Sequence, residues 1–126
     1  MSRKDWDAKY NVTHKEERAK HRAFLKENDP HYNAGRLLRR YRQSDIQYNR
    51  GQCTLTAEWI EENIYKKGCL YCNETDWHKL GCDRVDNSKP HTPNNVVPCC
   101  KECNQKRQRR KFLDYFYERF MDQILY

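Results

Sequence analysis

Two Cys-x-x-Cys pairs, Cys69 with Cys72 and Cys100 with Cys103, are the residues best placed for chemistry in this sequence. Each pair sits beside a turn, where a tight knuckle can aim two sulfurs at one ion. Four thiolates make a closed tetrahedral zinc site, structural because no coordination position stays open. Cys99 adjoins Cys100 and competes with it, but Cys100 completes the spacing with Cys103. Cys53 and Cys82 have no spaced partner and read as ordinary buried or half-buried thiols. The stretch 73–99 between the pairs is longer than a zinc ribbon needs, so something is inserted there. It holds Asp83, Arg84, Asp86, Asn87, His91, Asn94 and Asn95, and Asn104 follows the second pair directly. Asp, His and Asn make a poor core. Oxygen and imidazole donors on a hairpin and helix suit Mg²⁺ or another divalent ion beside a phosphate.

Helices and one hairpin must position these groups, which predicts an α+β, mainly helical chain. Thr13-His14-Lys15-Glu16 has capping-box form and predicts a helix to about Glu27, stopped by Asn28-Asp29-Pro30. A second helix is expected over Ala34 to about Tyr48, with Leu37, Leu38 and Tyr41 as its apolar side. A third runs from Ala57 to about Lys67 and ends at Gly68, with Trp59, Ile60 and Ile64 facing the core. From Cys69 to Asn104 helical periodicity gives way to turn residues and the Val96-Val97 pair, a short hairpin held by ligands. Helix returns after Cys103, where Phe112, Phe116, Phe120 and Ile124 recur every four residues as a core or interface stripe. Residues 1–52 read as a basic helical extension and 53–126 as the zinc-binding domain.

With 37% apolar and 34% charged residues in 126, a large core is not available, and metal is a standard substitute. Seven cysteines could indicate a secreted disulfide scaffold. Their odd number, their Cys-x-x-Cys spacing and an opening MSRKDWDAKY without an apolar run argue instead for reduced thiols in an intracellular protein. No stretch approaches the ~20 apolar residues of a membrane span.

A net charge of +7 calls for a polyanionic partner. The charge is clustered. Arg36, Arg39 and Arg40 lie on the second helix, and Lys106, Arg107, Arg109, Arg110 and Lys111 crowd the residues after the second knuckle. Two basic runs flanking a candidate phosphate-chemistry motif favour nucleic acid, double-stranded DNA first, with RNA left open. Nothing in them reads bases.

The framework Cys-x-x-Cys, Asp83-Arg-x-Asp-Asn, His91-Thr-x-x-Asn-Val-Val-Pro, Cys-x-x-Cys-Asn104 resembles the HNH (ββα-metal) endonucleases, in particular small phage and homing-type proteins with two zinc knuckles. The resemblance spans about Cys69 to Arg107. It implies a zinc-clamped hairpin followed by a helix, in a bacterial or virus-encoded metal-dependent endonuclease. By position, Asp83 and Asn104 correspond to ligands of the catalytic metal, and Asn95 to the middle Asn that braces the loop or orients the base. The family's general-base His directly follows the Asp, and here that position is Arg84. A guanidinium stays protonated and cannot be the base, although it can clamp a phosphate. His91 is then either the substitute base or a loop histidine with no catalytic role. His78, just past the first knuckle, reads as a surface residue or at most a phosphate contact. Two functions compete: a DNA endonuclease, and a catalytically inactive zinc module that binds DNA or RNA, alone or in a larger assembly. A thiol redox protein is the weaker third, since nothing suggests a βαβ scaffold around the Cys-x-x-Cys pairs.

Overall fold

A computed structural model describes residues 3–125. Helix α1 covers Arg3–Thr13 and α2 covers Lys15–Asn28. The expected N-cap at Thr13 is corrected here. Its backbone is helical, and the residue before α2 is His14, which makes no side-chain cap. The side chain of Thr13 lies outside the described residues. Backbone bonds from His14 N to Tyr10 O and from Arg18 N to His14 O carry the helical pattern across the junction. No residue of α2 is buried, in keeping with a sequence too polar to supply core.

Helix α3 spans Pro30–Gln47 and begins four residues before the predicted Ala34. Asp29 caps it, accepting from the backbone N–H of His31 and Tyr32 at 3.0 and 3.2 Å. Pro30 at its first turn costs nothing, because its missing N–H would have had no helical partner. One Asp-Pro thus ends one helix and opens the next. Ala34 and Leu38 are buried, with Leu37 and Tyr41 packed beside them.

Helix α4, Ala57–Ile60, is capped by the Thr56 hydroxyl and continues as a π-helical turn over Glu61–Tyr65, which buries Ile60, Ile64 and Tyr65. The chain then reaches Gly68 at φ +83°, where a Cβ would stand 3.1 Å from the Glu74 carbonyl. Glycine is required at that turn. A 3₁₀ turn at Trp77–Lys79 leads into β1, Leu80–Arg84, which pairs antiparallel with β2, Val96–Cys100, from Leu80 opposite Cys100 to Arg84 opposite Val96. Helix α5, Lys101–Arg107, follows β2 directly, and α6 runs over Phe112–Leu125.

The core lies where α3, α4 and its π turn, the hairpin and the cysteines meet. The C-terminal stripe is only half used. Phe112 and Phe116 pack against the core and Tyr115 is buried, but Leu113, Tyr117, Phe120 and Ile124 are exposed. No helix among the described residues is long and apolar enough to cross a membrane.

Candidate functional site

The first knuckle is a turn with its donors turned inward. Cys69 N–H donates to Glu74 O at 2.8 Å and Asn73 N–H to Cys69 O at 3.0 Å, with Asn73 at φ +67°. In the second, Cys100 is the N-cap of α5 and its sulfur accepts from Cys103 N–H at 3.4 Å. The Sγ atoms of Cys69, Cys72, Cys100 and Cys103 all lie within 4.8 Å of one another, the metal-competent group found among the described residues. Cys99 is not part of it, as the spacing predicted. The Cys99 thiol, together with backbone N–H groups of Cys100, Cys72 and Tyr71, holds Cys69 down at about 4. Donors that favour a thiolate in a buried four-sulfur cage fit a soft or borderline cation.

A cavity of about 300 Å³ borders β1. Asp83, Arg84, His91 and Asn104 line it, together with Arg40 and Arg50. Asp83, Arg84, His91 and Asn104, singled out around the knuckles, therefore share one cavity with Arg40 of the basic stretch. His91 is buried and held on every side. Its ring stacks on Tyr41 with centroids 4.2 Å apart, and its Nδ1 lies 3.0 Å from Asp45 Oδ2, which also accepts from the His91 backbone N–H at 2.9 Å. The His91 carbonyl accepts from Thr54 N–H. Among the described residues Nε2 has no hydrogen-bond partner, it is not among the sealed unpartnered atoms, and His91 lines the cavity. An aspartate accepting at Nδ1 puts the proton there and leaves a lone pair on Nε2. Burial outweighs the nearby carboxylate and holds the His91 pKa below its usual value.

Asp45 was missed in the sequence. Burial works against its charge, but the bonds from His91 and from Arg50, whose Nε lies 3.0 Å from Oδ1, more than compensate and lower its pKa. Tyr41, expected on the apolar side of its helix, does more than pack. Its hydroxyl also accepts from Cys82 N–H at 2.9 Å, and a Cβ at Gly81 would stand 3.0 Å from that oxygen. Both residues belong to the stretch first read as a basic extension.

Asn95 does not line the cavity. It is a brace: its carbonyl oxygen accepts from Asp86 N–H, and its amide donates to the carbonyls of Asp86, Lys89 and Pro90. That fixes the loop immediately before His91, so the catalytic assignment of Asn95 becomes a positioning one. Arg84 donates to Asn87 O and Lys89 O and folds over the same loop.

Arg107 requires the largest correction. It is fully buried and cannot touch a phosphate backbone. Its guanidinium donates to Asp83 Oδ1 and Arg84 O, both at 2.6 Å, and to Val85 O at 3.2 Å. The Tyr71 hydroxyl donates to the other oxygen of Asp83 at 2.6 Å. The remaining basic residues of that cluster are exposed, with Lys106 paired to Glu102 and Arg110 to Glu118. Arg109 and Lys111 form no ion pair among the described residues. On the second helix Arg36 is half-buried, and Arg39 and Arg40 are exposed.

A divalent cation on Asp83 and Asn104, as the resemblance implies, meets a poor donor set. Both oxygens of Asp83 are engaged and its charge is matched by Arg107. Asp45 is engaged in the same way, and three further guanidinium groups (Arg40, Arg50 and Arg84) border the cavity. These residues fit an anion, and they do not fit a dication held by the protein alone. His78 lies elsewhere. It stacks on Trp77 and bonds to Asp76 and to the Glu27 carbonyl, tying the end of α2 to the knuckle. No protein-family model and no curated protein matches the chain.

Proposed function

We propose that the protein is a zinc-stapled HNH-type endonuclease that hydrolyses phosphodiester bonds in DNA, with His91 as its general base. The observation that carries the reading is the buried His91–Asp45 pair, with His91 bordering an arginine-lined cavity. The hairpin, the helix after it and the four clustered sulfurs agree with the ββα-metal arrangement that the sequence resembles. Zinc on these four thiolates closes the hairpin onto α5 and leaves no open coordination position, so it takes no part in the reaction.

The chain's own groups can perform most of the step. Arg84, Arg50 and Arg40 receive the scissile phosphate and neutralise the charge that grows on its oxygens. Nε2 of His91 takes a proton from a water, and that water's oxygen bonds to phosphorus as the bond to the leaving sugar oxygen breaks. Asp45 keeps Nδ1 protonated and steadies the imidazolium. The leaving oxygen takes its proton from solvent. Asp83 and Arg107 hold the end of β1 and the start of the loop so that Arg84 faces the cavity.

His91→Ala is expected to lower plasmid nicking at least about a hundredfold while DNA affinity is kept. Because burial penalises the protonated ring, the base stays neutral at lower pH, and the acid limb of kcat/KM should lie below the ordinary histidine value of about 6.5. Equal cutting by wild type and His91→Ala removes His91 as the base. One observation favours the non-catalytic alternative, a zinc module that only binds DNA or RNA. The carboxylate at the family's metal position is neutralised by Arg107. Incubating plasmid with purified protein, in Mg²⁺ or Mn²⁺ against EDTA, separates the two. No cleavage under any condition leaves the binding module, and cleavage that requires the added ion returns Asp83 and Asn104 to the ligand role.

A further inference from the structure

We propose that α3 carries duplex DNA along a basic groove running from the His91 cavity to the end of α2, so that the N-terminal helices belong to the substrate site. This rests on the reading above and extends it beyond the scissile phosphate. Arg40 is the hinge of the argument, because it lines three depressions at once. One is the His91 cavity. The second lies over Gly81, Cys99 and Cys100, and the third, of about 250 Å³, is bordered by Lys26, Arg36, His78 and Lys101. Neighbouring depressions share further walls, Leu37, Leu80 and Lys101 between the third and second and Tyr41, Cys82 and Asn104 between the second and first, so they form one path.

Four of the cations on this path have no counter-charge among the described residues, whereas Arg50 is paired to Asp45. Lys66, Lys79, Lys89, Lys106, Arg110 and Arg119 each have a carboxylate within 4.0 Å. Lys26, Arg36, Arg40 and Lys101 make no ion pair or side-chain hydrogen bond with any described residue, and the acid beside them, Glu27, is exposed and lies 3.8 Å from His78. Uncompensated charge in a concave wall focuses a positive field on whatever lies there. Arg36 and Arg40 are one helical turn apart, about 6 Å along the axis. A path longer than one anion, with cations spaced along it, matches a phosphate backbone better than a small phosphate ligand. Its charged walls carry no base-reading donor set, so these contacts set position and not sequence.

The test uses the full chain with zinc bound and a labelled DNA duplex, titrated by fluorescence anisotropy over a salt series. Arg36→Gln with Lys101→Gln should flatten the slope of log K against log salt by about 1.8, two contacts at about 0.9 each. Arg42→Gln with Lys67→Gln, both exposed and outside the groove, should leave it unchanged. Lys101→Gln alone, at an exposed position, should remove about 0.9, and thermal melts identify any variant that has lost its fold. An unchanged slope in the groove variants, or an equal loss in the control pair, overturns the groove while wild-type binding leaves the parent reading intact. Wild type that neither binds nor cuts the duplex overturns both. A loss confined to a single-stranded oligonucleotide, at about 0.7 per contact, overturns the duplex assignment.

Discussion

Arg107→Ala is expected to destabilise the fold by about 3–5 kcal/mol, the usual consequence of stranding one member of a buried ion pair. Asp83, 6% exposed beside Arg107, would keep Tyr71 as its remaining side-chain donor, and the carbonyls of Arg84, Val85 and Arg110 would each lose a donor. Those carbonyls belong to the end of β1 and to the turn between α5 and α6, so one side chain ties three segments together. Urea unfolding of the zinc-loaded protein should show the midpoint falling with little change in the m-value. Arg107→Lys restores charge but not the fork that reaches Asp83 and two carbonyls at once, and it should recover only part of the loss. Asp83→Ala with Arg107→Ala should cost less than the sum of the single changes, because neither charge is then left alone. A surface arginine that merely touched phosphate would shift stability by no more than about 0.5 kcal/mol. A result that small would return Arg107 to the nucleic-acid face.

The four clustered sulfurs were legible because knuckle spacing is a local property. A turn of two intervening residues places two sulfurs together wherever it occurs, and the four-sulfur group came out as expected. The hairpin and its flanking helices were legible for the same reason. The dyad was not. Asp45 and His91 are joined only by the tertiary fold, and Asp45 looked like one acid among arginines. A signal was present all the same. Leu38, Tyr41 and Asp45 follow helical spacing, and all three face inward, so Asp45 is an acid on an apolar stripe that demands a buried partner. Arg107 carried a similar sign. It lies one turn after the buried Cys103, on the inner face of α5, whereas Lys106, Arg109 and Arg110 face water. Counting charge along the run concealed this, because a buried cation and four solvated ones look alike until the helix phase is drawn.

Removing zinc is expected to have the largest effect of all. Zinc held by thiolates in small domains contributes an apparent ~10–16 kcal/mol to folding at neutral pH. A domain of ordinary stability has only about 5–15 kcal/mol in total. This chain has little else with which to cover the loss, since three of the four ligand cysteines lie within the core cluster and α2 buries nothing. Metal analysis should give one zinc per chain. A strong chelator should then abolish the tertiary signal of Tyr71, Tyr115 and Trp77, which pack around the cage and the neighbouring turn. Cys100→Ser should do the same without chelator, because that sulfur is both ligand and N-cap acceptor for α5. Cys53→Ser and Cys82→Ser should keep one zinc and a cooperative transition, as neither sulfur belongs to the cage. Since β2 passes directly into α5 at Cys100, loss of the ion should also release the β1–β2 loop and with it His91. Cleavage and cooperative folding should therefore disappear at the same chelator concentration, and not one before the other. A protein that is folded and free of zinc, or one whose knuckles are joined by a disulfide, would show that something other than a metal holds the four sulfurs together.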